Sequence, residues 1–386
     1  MPTVETLWNW IGNQITGWLG TFLPAWAVTL IWDLVLIIIL VVIGIVAVLA
    51  LSFMERKVAA RMGDRYGPNR WGPYGFFQPF ADALKMLIKE DIVPQVADKL
   101  AFNLAPGLVT FAAVLTYAVI PFGKNMVPAD LNIGILFFSA IGSLTILGLL
   151  TAGWGSDNKY SLLSAFRAAA QLVSYEVPMA LAIISVVLAA GTLSTGGIVA
   201  AQAERGWFIF SMPGVFLVYL LAASAELGRC PFDLYEADSE IVAGHMTEYS
   251  GMKFALFFLA EYINLFAVSG ITVGLFLGGG LGPILPSWLW FPIKVFVVIW
   301  VFMWIRNTFP RLRIDQVLGF SWKVLVPAGL ANLMVVGLCT KLFSNPWLAG
   351  GSSLIGNGIV FVATILLMGR AQRRRELAAE GAALRA

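Results

Sequence analysis

Ligands for metals and clusters are almost missing from this chain of 386 residues: it has two cysteines, Cys230 and Cys339, and one histidine, His245. Haem, iron–sulfur and structural zinc sites each need several thiolate or imidazole ligands, which these residues cannot supply. Any redox chemistry must draw its electrons from a partner or a diffusible carrier. Charge is equally scarce, at 12% of residues against 59% apolar. A soluble domain of this size cannot cover its surface with so few polar groups. The chain reads as one integral membrane domain over 1–386, and its few ionisable groups are the place to look for function. The first strong apolar run begins near Trp26, too late and too long for a signal peptide, so none is expected.

What is abundant is apolar sequence in long runs. A hydrocarbon core needs about 20 such residues per helix. Windows meeting that test fall near 28–54, 100–120, 132–153, 162–191, 208–228, 252–279, 288–306, 320–341 and 352–369. They predict an all-α, polytopic transmembrane bundle of about nine spans, because a spanning helix satisfies its own backbone in lipid. Residues 1–25, with Trp8, Trp10 and Trp18 among Asn and Gly, read as interfacial.

Charge placement sets the expected orientation. With the N-terminus outside, 21 of the 25 Lys and Arg fall in inward segments, and only Lys124, Arg205, Lys294 and Lys341 fall outside. The positive-inside rule favours that topology, with a basic tail over 370–386 on the inner side. Lys294 is expected to snorkel to the outer interface.

Two inward segments, 55–99 and 226–253, hold most of the chemistry. The first carries Glu55, Arg56, Lys57, Arg61, Arg65, Gly67-Pro68-Asn69-Arg70 and Gly72-Pro73. It leads to Phe77, Phe80, Leu84, Leu87 and Ile88 at helical spacing, with Asp82, Lys85 and Lys89 opposite. Asp82 and Lys85, at i,i+3, are placed to pair. Such a helix can simply lie in the interface with a solvated charged face. Alternatively Arg56, Arg65, Asp82 and Lys85 line a portal where a polar headgroup meets lipid.

Glu176 lies about ten residues into a span, where a carboxylate is expensive and a functional candidate. Pro178 cannot donate to the Ser174 carbonyl, which water could then reach. Glu176 either titrates or locks two helices by pairing with an arginine. The next span ends at Ala225-Glu226-Leu227-Gly228-Arg229-Cys230-Pro231-Phe232-Asp233, followed by Glu236, Asp238, Glu240 and Glu248. Crowded acids beside a low-dielectric cavity raise some of one another's pKa values. The same loop could instead be solvated and dock a basic partner. Glu261, deep in its span with Asn264 one turn on, reads as a proton relay or a helix-pairing group. Arg306, Arg311, Arg313 and Asp315 read as a topology-setting cluster compatible with docking. His245 reads as a hydrogen-bonding loop residue, the cysteines as small apolar fillers, and no metal site is expected.

Several stretches closely resemble one family, the quinone-chamber membrane subunit of proton-pumping NADH:quinone oxidoreductase, respiratory complex I. They are Glu55-Arg56-Lys57 through Gly67-Pro68-Asn69-Arg70, Gln78-Pro79-Phe80-Ala81-Asp82 through Lys89-Glu90-Asp91, and Ser174-Tyr175-Glu176. Further on come Arg229-Cys230-Pro231-Phe232-Asp233-Leu234, Glu248-Tyr249-Ser250-Gly251-Met252-Lys253-Phe254, Glu261-Tyr262 and Phe309-Pro310-Arg311-Leu312-Arg313-Ile314-Asp315-Gln316. The resemblance implies that Glu55, Arg56, Arg65, Asp82 and Lys85 belong to the access route of a lipid quinone, ubiquinone or menaquinone. It also implies that Glu176, Glu226, Asp233, Glu236, Asp238, Glu240, Glu248 and Glu261 belong to a proton pathway. Electrons would come from an iron–sulfur centre in a neighbouring hydrophilic subunit, among other membrane and hydrophilic partners in a bacterial inner membrane. Asp64, Tyr235, Asp238 and Asn307 stand where the family commonly has Gln, Pro, Glu and Ala. A hydrogenase-type membrane anchor is the nearer alternative, to be told apart by its co-purifying subunits. A secondary transporter should show paired halves, and no such repeat is seen.

Overall fold

The computed structural model describes residues 12–383 apart from 19, 124–125, 284 and 344. Residues 1–11 of the N-terminal segment, Lys124 and Arg385 lie outside the described residues, as do the side chains of Asp238 and most of the basic tail.

The described chain is helical throughout, with no strand. Its helices are α1 (Ala25–Met62), α2 (Gln78–Ile88), α3 (Lys99–Leu115), α4 (Gly134–Gly155), α5 (Lys159–Ala190), α6 (Thr195–Arg205), α7 (Pro213–Glu226), α8 (Gly251–Phe276), α9 (Ser287–Thr308), α10 (Ile314–Leu342) and α11 (Pro346–Ala383). Eight of these, all but α2, α6 and α7, are long and apolar enough to cross a membrane. The remaining expected span, 208–228, is interrupted. A single turn, Phe208–Ser211, precedes α7, and Met212 between them has φ −136° and ψ 57°. Pro213 is the reason, since the residue before a proline is driven from helical geometry.

Helix ends follow local chemistry. Asp98 accepts from the amides of Leu100 and Ala101 to start α3. Asn158 does the same for Tyr160 at the start of α5, which ends at Gly191 in the left-handed region. Small residues bring α3, α4 and α5 together: a Cβ on Gly148 would meet Val109 at 2.5 Å, and one on Gly153 would meet Ala165 at 2.4 Å. Helices in lipid associate through such close backbone approach. Polar ties add direction, with the Tyr117 hydroxyl donating to the Ile263 carbonyl at 3.2 Å and Tyr175 to Val317 at 2.9 Å.

Lys294 does not extend to an exposed surface. It is buried and donates to the carbonyls of Leu277 (2.6 Å), Gly279 (3.0 Å) and Leu281 (2.6 Å), beside the Trp207 ring. The end of α8 exposes carbonyls without helical partners, and an ammonium with three donors satisfies them.

Candidate functional site

Four charged residues from distant parts of the sequence meet under the loops 55–99 and 226–253. Glu55, on the last turns of α1, is 6% exposed, and Arg229, just past α7, is 4% exposed. Arg229 donates to Glu55 at 3.0 Å and approaches Glu261 of α8 at 3.1 Å. Arg306, at the end of α9, forms an ion pair with the other Glu55 oxygen. The Tyr262 ring lies against the Arg229 guanidinium, 5.2 Å from its centroid. Two carboxylates and two guanidinium groups cancel in charge, which is how buried ions are tolerated.

The inward loops are knitted around this cluster. The Lys253 ammonium pairs with Asp91 at 2.8 Å, while Ser250 accepts from the Ile92 amide and donates to the Glu90 carbonyl. The Leu312 amide donates to Pro231, and the Cys230 thiol to Phe309. α2 therefore has its end fixed to the start of α8. It turns Phe80, Leu84, Leu87 and Ile88 outward, the exposed apolar face expected of an interfacial helix. Asp82 does not pair with Lys85; it accepts from Arg56 of α1 at 2.5 Å and from Gln78 at 3.3 Å. Arg65 is exposed near the rim and Lys85 stands in the last turn of α2.

Inside the bundle, carboxyl groups line two adjoining cavities. The first, of about 50 Å³, is walled by Glu226, Tyr235, Glu236, His245, Glu261 and Asn264. The second, of about 20 Å³, has Ser139, Gly142, Glu176, Glu226 and Asn264. Thr145, Leu172, Glu226 and Asn264 face both, so Glu226 stands where one cavity gives way to the next. At 10–15 Å³ for each water, the first has room for roughly three and the second for about one. Gly142 makes space for Glu226: a Cβ there would meet Glu226 Oε1 at 3.1 Å.

The Ser174 carbonyl, which Pro178 cannot serve, accepts from the Ser321 hydroxyl at 2.6 Å. Ser321 opens a π-helical turn, Ser321–Leu325, within α10, and Trp322 also donates to the Ser174 hydroxyl at 3.2 Å. A protein hydroxyl from another helix thus takes the place expected for water.

The acidic loop is divided in role. Glu236 faces the first cavity, and Asp233, half-buried, lies close to Cys230 in sequence with one carboxylate oxygen enclosed. Glu240 is exposed and pairs with Arg167 at 2.5 Å; the hydrogen bond from that guanidinium holds its carboxyl below the usual range rather than raising it by crowding. Glu248 accepts from Asn158 at 2.6 Å, tying the loop to the start of α5. Neither Glu240 nor Glu248 lines either of these two cavities. Tyr235 is buried with its ring over Gly228, where a Cβ would come within 1.7 Å of the Tyr235 hydroxyl oxygen. Sequence reasoning missed the pairing of Arg306 with Glu55, the space at Gly142 and the position of His245. For the last, the available signal was that the chain's single histidine directly follows a glycine within the acidic loop.

A family model described as NADH dehydrogenase matches residues 34–337. The chain is 52% identical over 306 residues to the H subunit of NADH-quinone oxidoreductase from Dehalococcoides mccartyi, covering 79% of this chain and 86% of that protein. It is 48% identical over 350 residues to the protein of the same name from Carboxydothermus hydrogenoformans, covering 88% and 98%. With the corresponding protein of Polaromonas naphthalenivorans it shares 43% identity over 348 residues, covering 86% and 97%.

Proposed function

The chain belongs to the NADH dehydrogenase family, among the H subunits of NADH-quinone oxidoreductase, and from that premise we propose that it forms the quinone-access chamber of its complex and relays quinone reduction to proton translocation. It is a membrane subunit of an oxidoreductase complex. Names of the relatives favour this over a hydrogenase anchor or a transporter.

The observation that carries the relay is the line of carboxyl groups along the two adjoining cavities, from Glu236 and Glu261 through Glu226 to Glu176. A quinone that accepts an electron pair takes up a proton pair on becoming quinol. The electrons come from an iron–sulfur centre of a neighbouring hydrophilic subunit. Protons withdrawn near the inward loops change the charge that Glu261 and Glu236 face, and each displaced pKa unit is worth about 1.4 kcal/mol to the next carboxyl. The Arg229 and Arg306 guanidinium groups hold Glu55 and Glu261 on one side of this line and so fix the charge at its mouth.

Access of the quinone is assigned to the rim between α1 and α2. The Arg56–Asp82 pair there is partly exposed and lies beside the apolar face of α2, so a polar headgroup and a lipid tail each find a matching surface. Glu55, Arg65 and Lys85 belong to the same inward rim. The membrane is proposed to be the inner membrane of a bacterium, with the loops 55–99 and 226–253 facing the hydrophilic subunits. Asp233, Asp238, Glu240 and Glu248 are assigned to the inward approach to the first cavity.

The test is Glu226→Gln in the assembled complex, which keeps the shape of the side chain and removes its charge. Inhibitor-sensitive quinone reduction and proton uptake into proteoliposomes should fall by about a hundredfold, the low end of what positioned proton transfer is worth. Wild-type rates in an assembled complex would remove Glu226 from the pathway.

A further inference from the structure

His245 is not used in the reading above, yet it faces the same cavity as Glu226, Glu236 and Glu261. The residue is 1% exposed, and among the described residues neither Nδ1 nor Nε2 has a hydrogen-bond partner. A buried imidazole holds one N–H and one lone pair, and both are costly to leave unsatisfied. The polar neighbours in reach of this ring are those the cavity provides.

The ring is held in place on its other sides. Tyr235 and Phe257 flank it at centroid distances of 5.7 Å and 5.2 Å. The Ser161 hydroxyl donates to the His245 carbonyl at 3.2 Å, and Gly244, with φ +63°, lets the preceding backbone fold onto Tyr235. Tyr235, Glu236, Glu226 and Glu261 are the titratable groups facing it across the cavity, and Tyr249 packs against the same Phe257. Burial lowers the His245 pKa to about 4, so the ring is neutral near pH 7. A neutral imidazole is both donor and acceptor, whereas a carboxylate only accepts.

We propose that the His245 imidazole is a proton-transfer group of the first cavity, linking Glu236 and Glu261 to Glu226; this rests on the proton-pathway reading. A proton arriving from the loop side bonds to the ring nitrogen that carries the lone pair. The N–H bond at the other nitrogen then breaks, and that proton passes through cavity water to the Glu226 carboxylate. The ring is left neutral in its other tautomer and returns by tautomer exchange before the next transfer. No electron moves and no co-reactant is consumed.

The experiment compares His245→Phe, His245→Ala and Glu226→Gln in the purified, reconstituted complex. Phenylalanine keeps a ring between Tyr235 and Phe257 and removes both nitrogens. We expect His245→Phe to assemble and to lose about a hundredfold in quinone reduction coupled to proton uptake. His245→Ala should be as slow and should recover several-fold on adding imidazole but not on adding toluene, which fills the space without carrying a proton. Wild-type coupled rates for His245→Phe with Glu226→Gln impaired would overturn the role of the histidine alone. Wild-type rates for both would remove the pathway and this role together. Rescue of His245→Ala by toluene as well as by imidazole would make the histidine a spacer and likewise overturn the proposal.

Discussion

Glu55 accepts from two arginines that lie far from it in the chain, Arg229 and Arg306, the latter 251 positions away. A buried carboxylate so placed is held by the pairing; Arg229 also has Glu261, whereas Arg306 has Glu55 as its ion-pair partner among the described residues. Removing one partner of such a cluster costs about 3–5 kcal/mol, most of it from the charge left behind. Glu55→Gln should therefore lower the thermal stability of the complex in detergent, measured as subunits retained together after heating. Unchanged retention would mean that Arg229 and Arg306 are satisfied without Glu55. At this scale the sequence singled out acids that line the two cavities but not what holds them. Glu176, Glu226 and Glu261 stand out because a carboxyl within an apolar run is expensive wherever the helix goes. Arg306 as a partner, Ser321 as the donor to Ser174, and Gly142 as the space for Glu226 each come from another helix, and no local pattern announces them.

Among the elements, eight membrane-crossing helices were legible because a run of about 20 apolar residues has few other uses. The break before α7 was not, since 208–228 stays apolar across Met212 and hydropathy has no view of backbone angles. What decided it was a single proline. The amphipathic period of α2 was plain, while its partner was misjudged: spacing offered Lys85 to Asp82, and the approach of α1 supplied Arg56 instead. The loop between α1 and α2 is rich in glycine and proline, and its geometry shows why glycine is needed there. Gly75 has φ +81°, and a Cβ there would come within 2.2 Å of the Pro68 carbonyl oxygen. The left-handed backbone alone disfavours alanine by roughly 1–2 kcal/mol, and the clash requires the loop to move. Gly75→Ala should displace the rim without touching the cavities. The expected signature is a several-fold higher KM for quinone with the fully saturated rate largely kept. An unchanged KM would mean that the loop takes no part in quinone access.

Across the whole molecule, function depends on which side the inward loops face. The ion cluster, the acidic loop and the start of the carboxyl line all lie toward the ends of α1, α7 and α9 and the start of α8. Those ends share one side of the bundle, where positive charge is concentrated in the sequence. Arg70, in the loop after α1, and Glu204, near the end of α6, are both exposed and belong to opposite sides in that topology. With Cys230 and Cys339 replaced by Ser, single cysteines at Arg70→Cys and Glu204→Cys give a direct reading. A membrane-impermeant maleimide should label Glu204→Cys in right-side-out vesicles and Arg70→Cys only in inverted ones. The reverse pattern would put the rim and the acidic loop on the outer face. Hydrophilic subunits on the inner side could then reach neither, and electron delivery to a quinone in this chamber would have no donor.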